Sequence, residues 1–289
     1  MNPGLIFLIT SVCCSVTVAV LLKLARQRGI DVQQAIAMNY AMAVGLVLLI
    51  LNPSVDALRS PTTPWGILLA LGVLLPAVFI AMAQAVRHAG IVRSDAAQRL
   101  SLFIPLLMAF VLFGETFTLR KVAAIALGLL ALFCLLKRQP ASDAAESTPA
   151  GRALWIWPLA VWLGYGVIDV LFKQMARTGT AFPSGLLAAF SLAGVLITLY
   201  LIVRRTRWHA ASLGAGLILG AFNFANIYTY IRAHQSLPND PALVFSAMNI
   251  GVISLGTLVG AFMFKERLNR VNVLGLAFAV IAVVLMTPW

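Results

Sequence analysis

QPASDAAESTPAGR, residues Gln139–Arg152, is the one stretch of this chain with the composition of a water-exposed loop. Prolines, serines, alanines and acids make it a flexible linker. On either side the sequence is apolar. Before it lie five hydrophobic segments at about 4–25, 33–52, 64–87, 94–114 and 119–137. After it lie five more at about 154–176, 183–203, 211–233, 240–264 and 271–287. Breaks of Pro, Gly and charge separate them. Each is long enough for a helix and lacks the alternation of a barrel strand. In lipid, the need to satisfy every backbone N–H and C=O then dictates helices.

The rest of the composition agrees. The 289 residues are 61% hydrophobic and only 10% charged; a soluble domain carries about 25% charged residues. Mean hydropathy is +0.96. These values exclude an ordinary globular enzyme, a disordered chain and a nucleic-acid reader. The net charge of +12 is read as Lys and Arg in cytoplasmic loops of a membrane protein, with no nucleic-acid partner. Met1-Asn2-Pro3-Gly4 has no basic run, so the first segment reads as a retained span and not a cleaved signal. Cys13, Cys14 and Cys134 lie in apolar runs without zinc or redox spacing, and read as packing residues.

The two halves resemble each other. Val20-Leu21-Leu22-Lys23 ends the first span and Val170-Leu171-Phe172-Lys173 the sixth, 150 positions on. Gly114-Glu115 closes the fourth and Lys265-Glu266 the ninth, 151 positions on. A base follows each acid, Arg120 or Arg270, before an apolar last span. Five spans is an odd number, so a second copy enters the membrane upside down. The expected fold is an all-α membrane protein of ten transmembrane helices, arranged as two inverted five-helix repeats around a central cavity. The repeats would be residues 1–138 and 154–289, with residues 139–153 between them.

With FGE at Phe113–Glu115, FKE at Phe264–Glu266 and a short polar joint before each apolar fifth span, the chain resembles the drug/metabolite transporter superfamily, EamA type. The resemblance covers almost the whole chain. It implies a transporter with a cavity formed mainly by spans 1, 3, 4, 6, 8 and 9, and with spans 5 and 10 at the periphery. Members move amino acids, nucleobases, sugars, organic amines and other metabolites, often outward. Small multidrug-resistance relatives use a membrane-embedded Glu in their first span. Here that span carries Ser, Thr and Lys and no acid, a departure from their route of proton coupling.

Polar side chains are costly in a membrane, so their placement carries information. Spans five and ten have almost none and suit a lipid face. Their small-residue spacings, Ala124 with Gly128 and Gly275 with Ala279, fit helix packing or a dimer face. In span six, Trp162, Tyr165, Asp169 and Lys173 fall on one helical stripe. Asp169 is the only acid deep inside any span, and Lys173 stands one turn on, within pairing distance. Span eight carries Asn223, Asn226, Tyr230 and His234 on a stripe, and span nine Ser246 and Asn249. Span three carries Gln84 and His88. Span four carries Asp95, Gln98 and Arg99, with Asp95 and Arg99 four apart, and the repeat offset maps Gln98 onto Asn249. Amides alone are interhelical glue, worth about 0.6 kcal/mol each. Several stripes together point to a wet cavity. Lys23 either snorkels to the interface or matches Lys173 as a cationic contact. Pro76 and Pro105 are candidate kinks at a gate.

No His, Cys and acid cluster has metal-ligand spacing, and no phosphate-binding loop is present. No nucleophile–base constellation appears. The chain therefore reads as no enzyme, with no cofactor. An integral membrane enzyme acting on lipid and a non-transporting scaffold or receptor are the readings from other classes. Thirteen bases lie in loops after odd-numbered spans and five in loops after even-numbered ones, with Lys23, Arg99 and Lys173 inside the membrane. The positive-inside rule puts the odd loops in the cytoplasm and both termini outside. The family is generally described with termini inside.

The sequence thus predicts a secondary transporter, an exporter, of a small polar metabolite such as an amino acid, working by alternating access in a bacterial inner membrane. The expected substrate contacts are Asp169, Lys173, Trp162, Tyr165, Gln84, Gln98, Arg99, Asn223, Asn226, Tyr230 and Asn249. Lys23, Arg99 and Lys173 against Asp169 favour a carboxylate-bearing ligand. An organic-cation or drug exporter using Asp169 is the alternative. The expected partners are a small-molecule substrate, membrane lipid and a coupling proton, with monomer and homodimer both open.

Overall fold

A computed structural model of the chain describes residues 3–61, 63–136, 153–177, 182–264 and 270–286. Among them all regular structure is helical: α1 (Pro3–Gln27), α2 (Val32–Leu46), α3 (Trp65–Leu100), α4 (Phe103–Val111), α5 (Leu119–Leu136), α6 (Ala153–Ala176), α7 (Phe182–Val203), α8 (Ala210–Ser236), α9 (Pro241–Phe264) and α10 (Arg270–Met286). A π-helical turn, Val47–Leu51, continues α2, and a 3-10 turn spans Asp56–Arg59. The sequence marks these ends. Asp31 caps α2 by accepting the Gln33 N–H at 2.9 Å. Asn52 takes a left-handed conformation, φ 44°, where the π turn stops.

The bounds match the sequence expectation closely except around the third and fourth spans. A break was expected at residues 88–93, with a fourth span over 94–114. Instead α3 is one helix of 36 residues, and the break falls at Ser101–Leu102. Pro105 gives the reason. It has no N–H to donate to the Ser101 carbonyl, and that carbonyl accepts the Ile104 N–H at 3.0 Å in a tighter turn. The Ser101 hydroxyl also donates to the Gln98 carbonyl at 2.6 Å. Pro105 therefore sits in the first turn of α4 and does not kink a span, whereas α3 runs on through Pro76.

Among the described residues, seven helices are long and apolar enough to cross a membrane. Helix α4, with nine residues, rises only about 14 Å, half of a hydrocarbon core. The chain is a multi-pass membrane protein.

The chain forms two compact units, Met1–Ile80 with Leu171–Ser236, and Ala81–Val170 with Leu237–Trp289. Helices α3 and α6 each run from one unit into the other. In the first unit α8 packs on both α1 and α2, and α2 packs on α7. A Cβ on Gly216 would stand 2.5 Å from the Ala35 carbonyl oxygen, and one on Gly220 2.7 Å from that of Asn39. Only hydrogen fits there, so α2 and α8 approach backbone to backbone. Such contact supplies the dispersion that joins helices in lipid, where no hydrophobic force does so. Tyr40 and Phe190, both fully buried, meet with ring centroids 6.3 Å apart between α2 and α7.

In the second unit α5 lies along α10, and both touch α9. Ala124, Ala131, Ala279 and Ala282 are buried at 0–2% exposure. A Cβ on Gly128 would meet Ile250 at 2.6 Å. The small-residue spacings thus serve packing inside the unit. The opposite faces of α5 and α10 expose Leu130, Phe133, Val273 and Val280, as a lipid-facing surface requires. Helix α4 packs on α9, with Phe113 and Phe245 rings 6.4 Å apart. The second half of α3 packs on α6 around Ala81, Ala85 and Val161. Three of these pairings, α2 with α7, α4 with α9 and α5 with α10, join helices five apart in order, and α1 with α8 has its counterpart in α6 with α3.

Candidate functional site

The expected contact residues divide between the two units. In the second unit, Tyr165 on α6 lies in the field of both Arg99 from α3 and Asp169 one turn along. Its ring packs against the Ala85–Val161 cluster. The Trp162 indole N–H donates to the Leu100 carbonyl at 3.0 Å, one of the carbonyls α3 leaves without an intrahelical partner. Nearby, Gly166 lets α4 approach, since a Cβ there would stand 2.5 Å from Ile104. Arg99, Tyr165 and Asp169 are therefore one electrostatic group held by α3–α6 packing. Gln84 and Gln98 are half-buried on the same α3 segment. Asn249, half-buried on α9, donates from Nδ2 to the Phe245 carbonyl of its own helix at 3.1 Å. The Asp95 side chain, expected to pair with Arg99, and Glu266, the counterpart of Glu115, lie outside the described residues.

In the first unit, Lys173 is 2% exposed and its charge acts on His234, itself 1% exposed. Phe172 meets the Tyr230 ring edge-on at 6.5 Å, and Tyr230 meets the His234 ring edge-on at 4.8 Å. Helix α6 thus brings the Lys173 charge to His234 and the Phe172 ring to Tyr230 on α8. Asp169 and Lys173, expected as a pair, fall on either side of the passage of α6 between units. Asn223 is half-buried on α8. Asn226 is bound to α1, where the Ser11 hydroxyl donates to its Oδ1 at 2.8 Å.

Sequence reasoning missed three features. His234 was seen on the α8 stripe but not chosen; its spacing of four from Tyr230 was the available signal. Gln34, 0% exposed, donates to Asp31 Oδ2 at 3.0 Å and to the Arg207 carbonyl at 2.9 Å, and accepts the His209 N–H at 2.9 Å. Nothing in its sequence neighbourhood announces partners from α7–α8. Glu115 was noticed as a motif, with Arg120 as the base following it. The base that meets it is Lys121, whose Nζ lies 2.8 Å from Glu115 and 3.0 Å from Asp240. Its other oxygen accepts the Ala242 N–H at the start of α9 at 2.8 Å.

Comparison with known proteins agrees with this architecture. Residues 2–137 match the EamA-like transporter family. An uncharacterized protein of Haemophilus influenzae is 47% identical over 283 residues, which is 96% of this chain and 95% of the relative. A solved crystal structure, 17% identical, superposes with a TM-score of 0.77 over 98% of this chain and 96% of its own; at that identity the likeness concerns the fold. With residues 2–137 matched by the EamA-like transporter family, this multi-span, all-helical chain belongs to the drug/metabolite transporter superfamily.

Proposed function

We propose that the protein is a secondary transporter that exports a small polar metabolite bearing a carboxylate, such as an amino acid, across a bacterial inner membrane. The observation that carries this reading is the surplus of base over acid inside the spans. Lys23, Arg99 and Lys173 stand against Asp169. In the first unit the carboxylates are Asp31 and Asp56, and both lie outside the candidate spans. In that unit the buried cation Lys173 acts on His234, while its neighbour Phe172 meets the Tyr230 ring, a setting for an anionic group and an apolar body. Arg99, Tyr165 and Asp169 offer the complementary mixture for a zwitterion, an acceptor for an ammonium and donors for a carboxylate.

The mechanism proposed is alternating access by two inverted repeats. Helix pairs five apart in order support it, as do the matching stretches at Lys23 and Lys173. The basic bias of the odd loops supports a cytoplasmic location for them, with both termini outside. A proton is the proposed coupling ion.

The test is ligand-induced stabilisation of the purified protein followed by flux in liposomes. A bound ligand raises stability by RT ln(1 + [L]/Kd). Carboxylates are expected to raise the melting temperature and to be taken up, and Lys173→Ala to abolish both. Stabilisation by organic amines alone, lost in Asp169→Asn, would reverse the charge reading and make the protein a cation exporter.

A further inference from the structure

We propose that the arginine-bearing loop between α7 and α8 is a binding site for the headgroup of an anionic membrane phospholipid. The loop, Arg204-Arg205-Thr206-Arg207-Trp208-His209, is held in one shape. The Arg205 and Thr206 N–H groups donate to Ile202 and Leu201 at 2.8 and 3.1 Å, closing the end of α7. Buried Gln34 takes the Arg207 carbonyl and the His209 N–H. The backbone is fixed while the side chains of Arg204, Arg205 and Arg207 are exposed. Arg204 is aimed as well, donating to the Tyr200 hydroxyl at 3.0 Å while lying over its ring.

The charge here is one-sided. The Asp31 N–H donates to Ser212 at 3.1 Å, bringing the α1–α2 loop, with exposed Arg28, to the same end of the unit. The Asp31 carboxylate is engaged by the Gln33 and Gln34 backbone N–H groups and the Gln34 amide. Asp56, the unit's other acid, belongs to the turn beside Ser54, whose carbonyl accepts from Ser184 at the far end of α7. The guanidiniums of Arg28, Arg204, Arg205 and Arg207 thus share this end of the unit with one carboxylate that already accepts three hydrogen bonds.

The surface below the arginines selects a lipid over a soluble anion. Val195, Leu199 and Ile202 recur at helical spacing on α7 and are 54%, 51% and 56% exposed, a stripe suited to an acyl chain. Trp208, 46% exposed, stands at the level of the arginines, where aromatic rings settle at the headgroup. The apolar stripe leads to a loop of ring and guanidinium, in the order of tail and headgroup. Each arginine near an anionic surface contributes roughly fivefold in affinity.

The experiment is native mass spectrometry of the full-length protein in detergent, titrated with phosphatidylglycerol and with phosphatidylcholine of the same chains. Wild type is expected to retain phosphatidylglycerol at least about tenfold more strongly. The double variant Arg205→Gly, Arg207→Gln should lose about 25-fold in affinity for phosphatidylglycerol and keep its affinity for phosphatidylcholine. Glycine suits this variant because Arg205 has φ 52°, so the loop keeps its shape. Arg59→Ala, an exposed arginine paired with Asp56, should leave the preference intact. Equal retention of the two lipids by wild type would overturn the proposal, as would a preference that is undiminished in the double variant. Displacement of the lipid by millimolar glycerol 3-phosphate would instead assign the loop to a soluble phosphate.

Discussion

Glu115 Oε2 accepts the backbone N–H of Ala242 at 2.8 Å, across 127 residues of sequence. A carboxylate from the end of the fourth apolar segment thus caps the ninth helix, where the helix dipole favours negative charge. Lys121 lies between that carboxylate and Asp240. The three side chains join the loop after α4, the start of α5 and the start of α9. The Glu115 side chain is only 1% exposed, so the cost of breaking the group depends on which member is removed. Lys121→Met leaves two carboxylates facing each other and should destabilise by about 3 kcal/mol. Glu115→Gln keeps an acceptor for Ala242 and should cost about 1 kcal/mol. Thermal melts in detergent check the order; equal losses would mean that the charges do not matter here.

The backbone contact between α2 and α8 gives a sharper prediction. The atom facing Gly220 is the carbonyl oxygen of Asn39, which moves only if α2 moves. Gly220→Ala should therefore separate the helices and cost about 2–3 kcal/mol, against the usual gain of Ala over Gly in a helix. Gly45, a helical glycine with nothing near its absent Cβ, is the control. Gly45→Ala should leave the melt unchanged or raise it slightly.

Much of this fold was legible in the chain because lipid leaves few options. Apolar runs of span length become helices whatever their detail, and the bounds of α1, α2 and α5 to α10 follow from Pro, Gly and charge. The α3–α4 break was misplaced because charge at Arg87 and Arg93 looked like a loop, while the cause of the break, Pro105, acts on carbonyls one turn earlier. The candidate site was only half legible. Helical spacing identified the α6 and α8 stripes, and Tyr165, Arg99 and Asp169 do share one neighbourhood. Spacing along one helix cannot say which neighbour takes up a polar group, so Asn226 bound to Ser11 and Trp162 bound to Leu100 emerge only from packing.

Asn226 can be tested as a structural link separately from its role in transport. The Ser11 hydroxyl donates to its side chain at 2.8 Å and also reaches its carbonyl at 3.1 Å. Interhelical hydrogen bonds in membranes average about 0.6 kcal/mol. Ser11→Ala and Asn226→Ala should each lower stability by about that amount, and the double variant by less than their sum. A structural link predicts that transport falls alike in both single variants. Loss confined to Asn226→Ala, with Ser11→Ala as active as wild type, would place the amide on the substrate.

Gln34 joins Asp31, its near neighbour in sequence, to Arg207 and His209 on a distant loop, and the choice of replacement separates its roles. Gln34→Met removes one acceptor and two donors from a site with 0% exposure. It leaves the Arg207 carbonyl and the His209 N–H unsatisfied, at a cost of about 2–3 kcal/mol. Gln34→Glu keeps the acceptor for His209 but sets an anionic oxygen against Asp31 Oδ2, now 3.0 Å from the amide nitrogen, and against the Arg207 carbonyl. Because both contacts turn from attraction to repulsion in a buried place, the glutamate variant should melt below the methionine one near neutral pH, although it is the closer isostere. Hydrogen exchange should show the same order in the amides of Thr206 to His209, with protection falling most in Gln34→Glu. If methionine proves the worse replacement, the side chain serves as a volume filler and the two loops are held by other contacts.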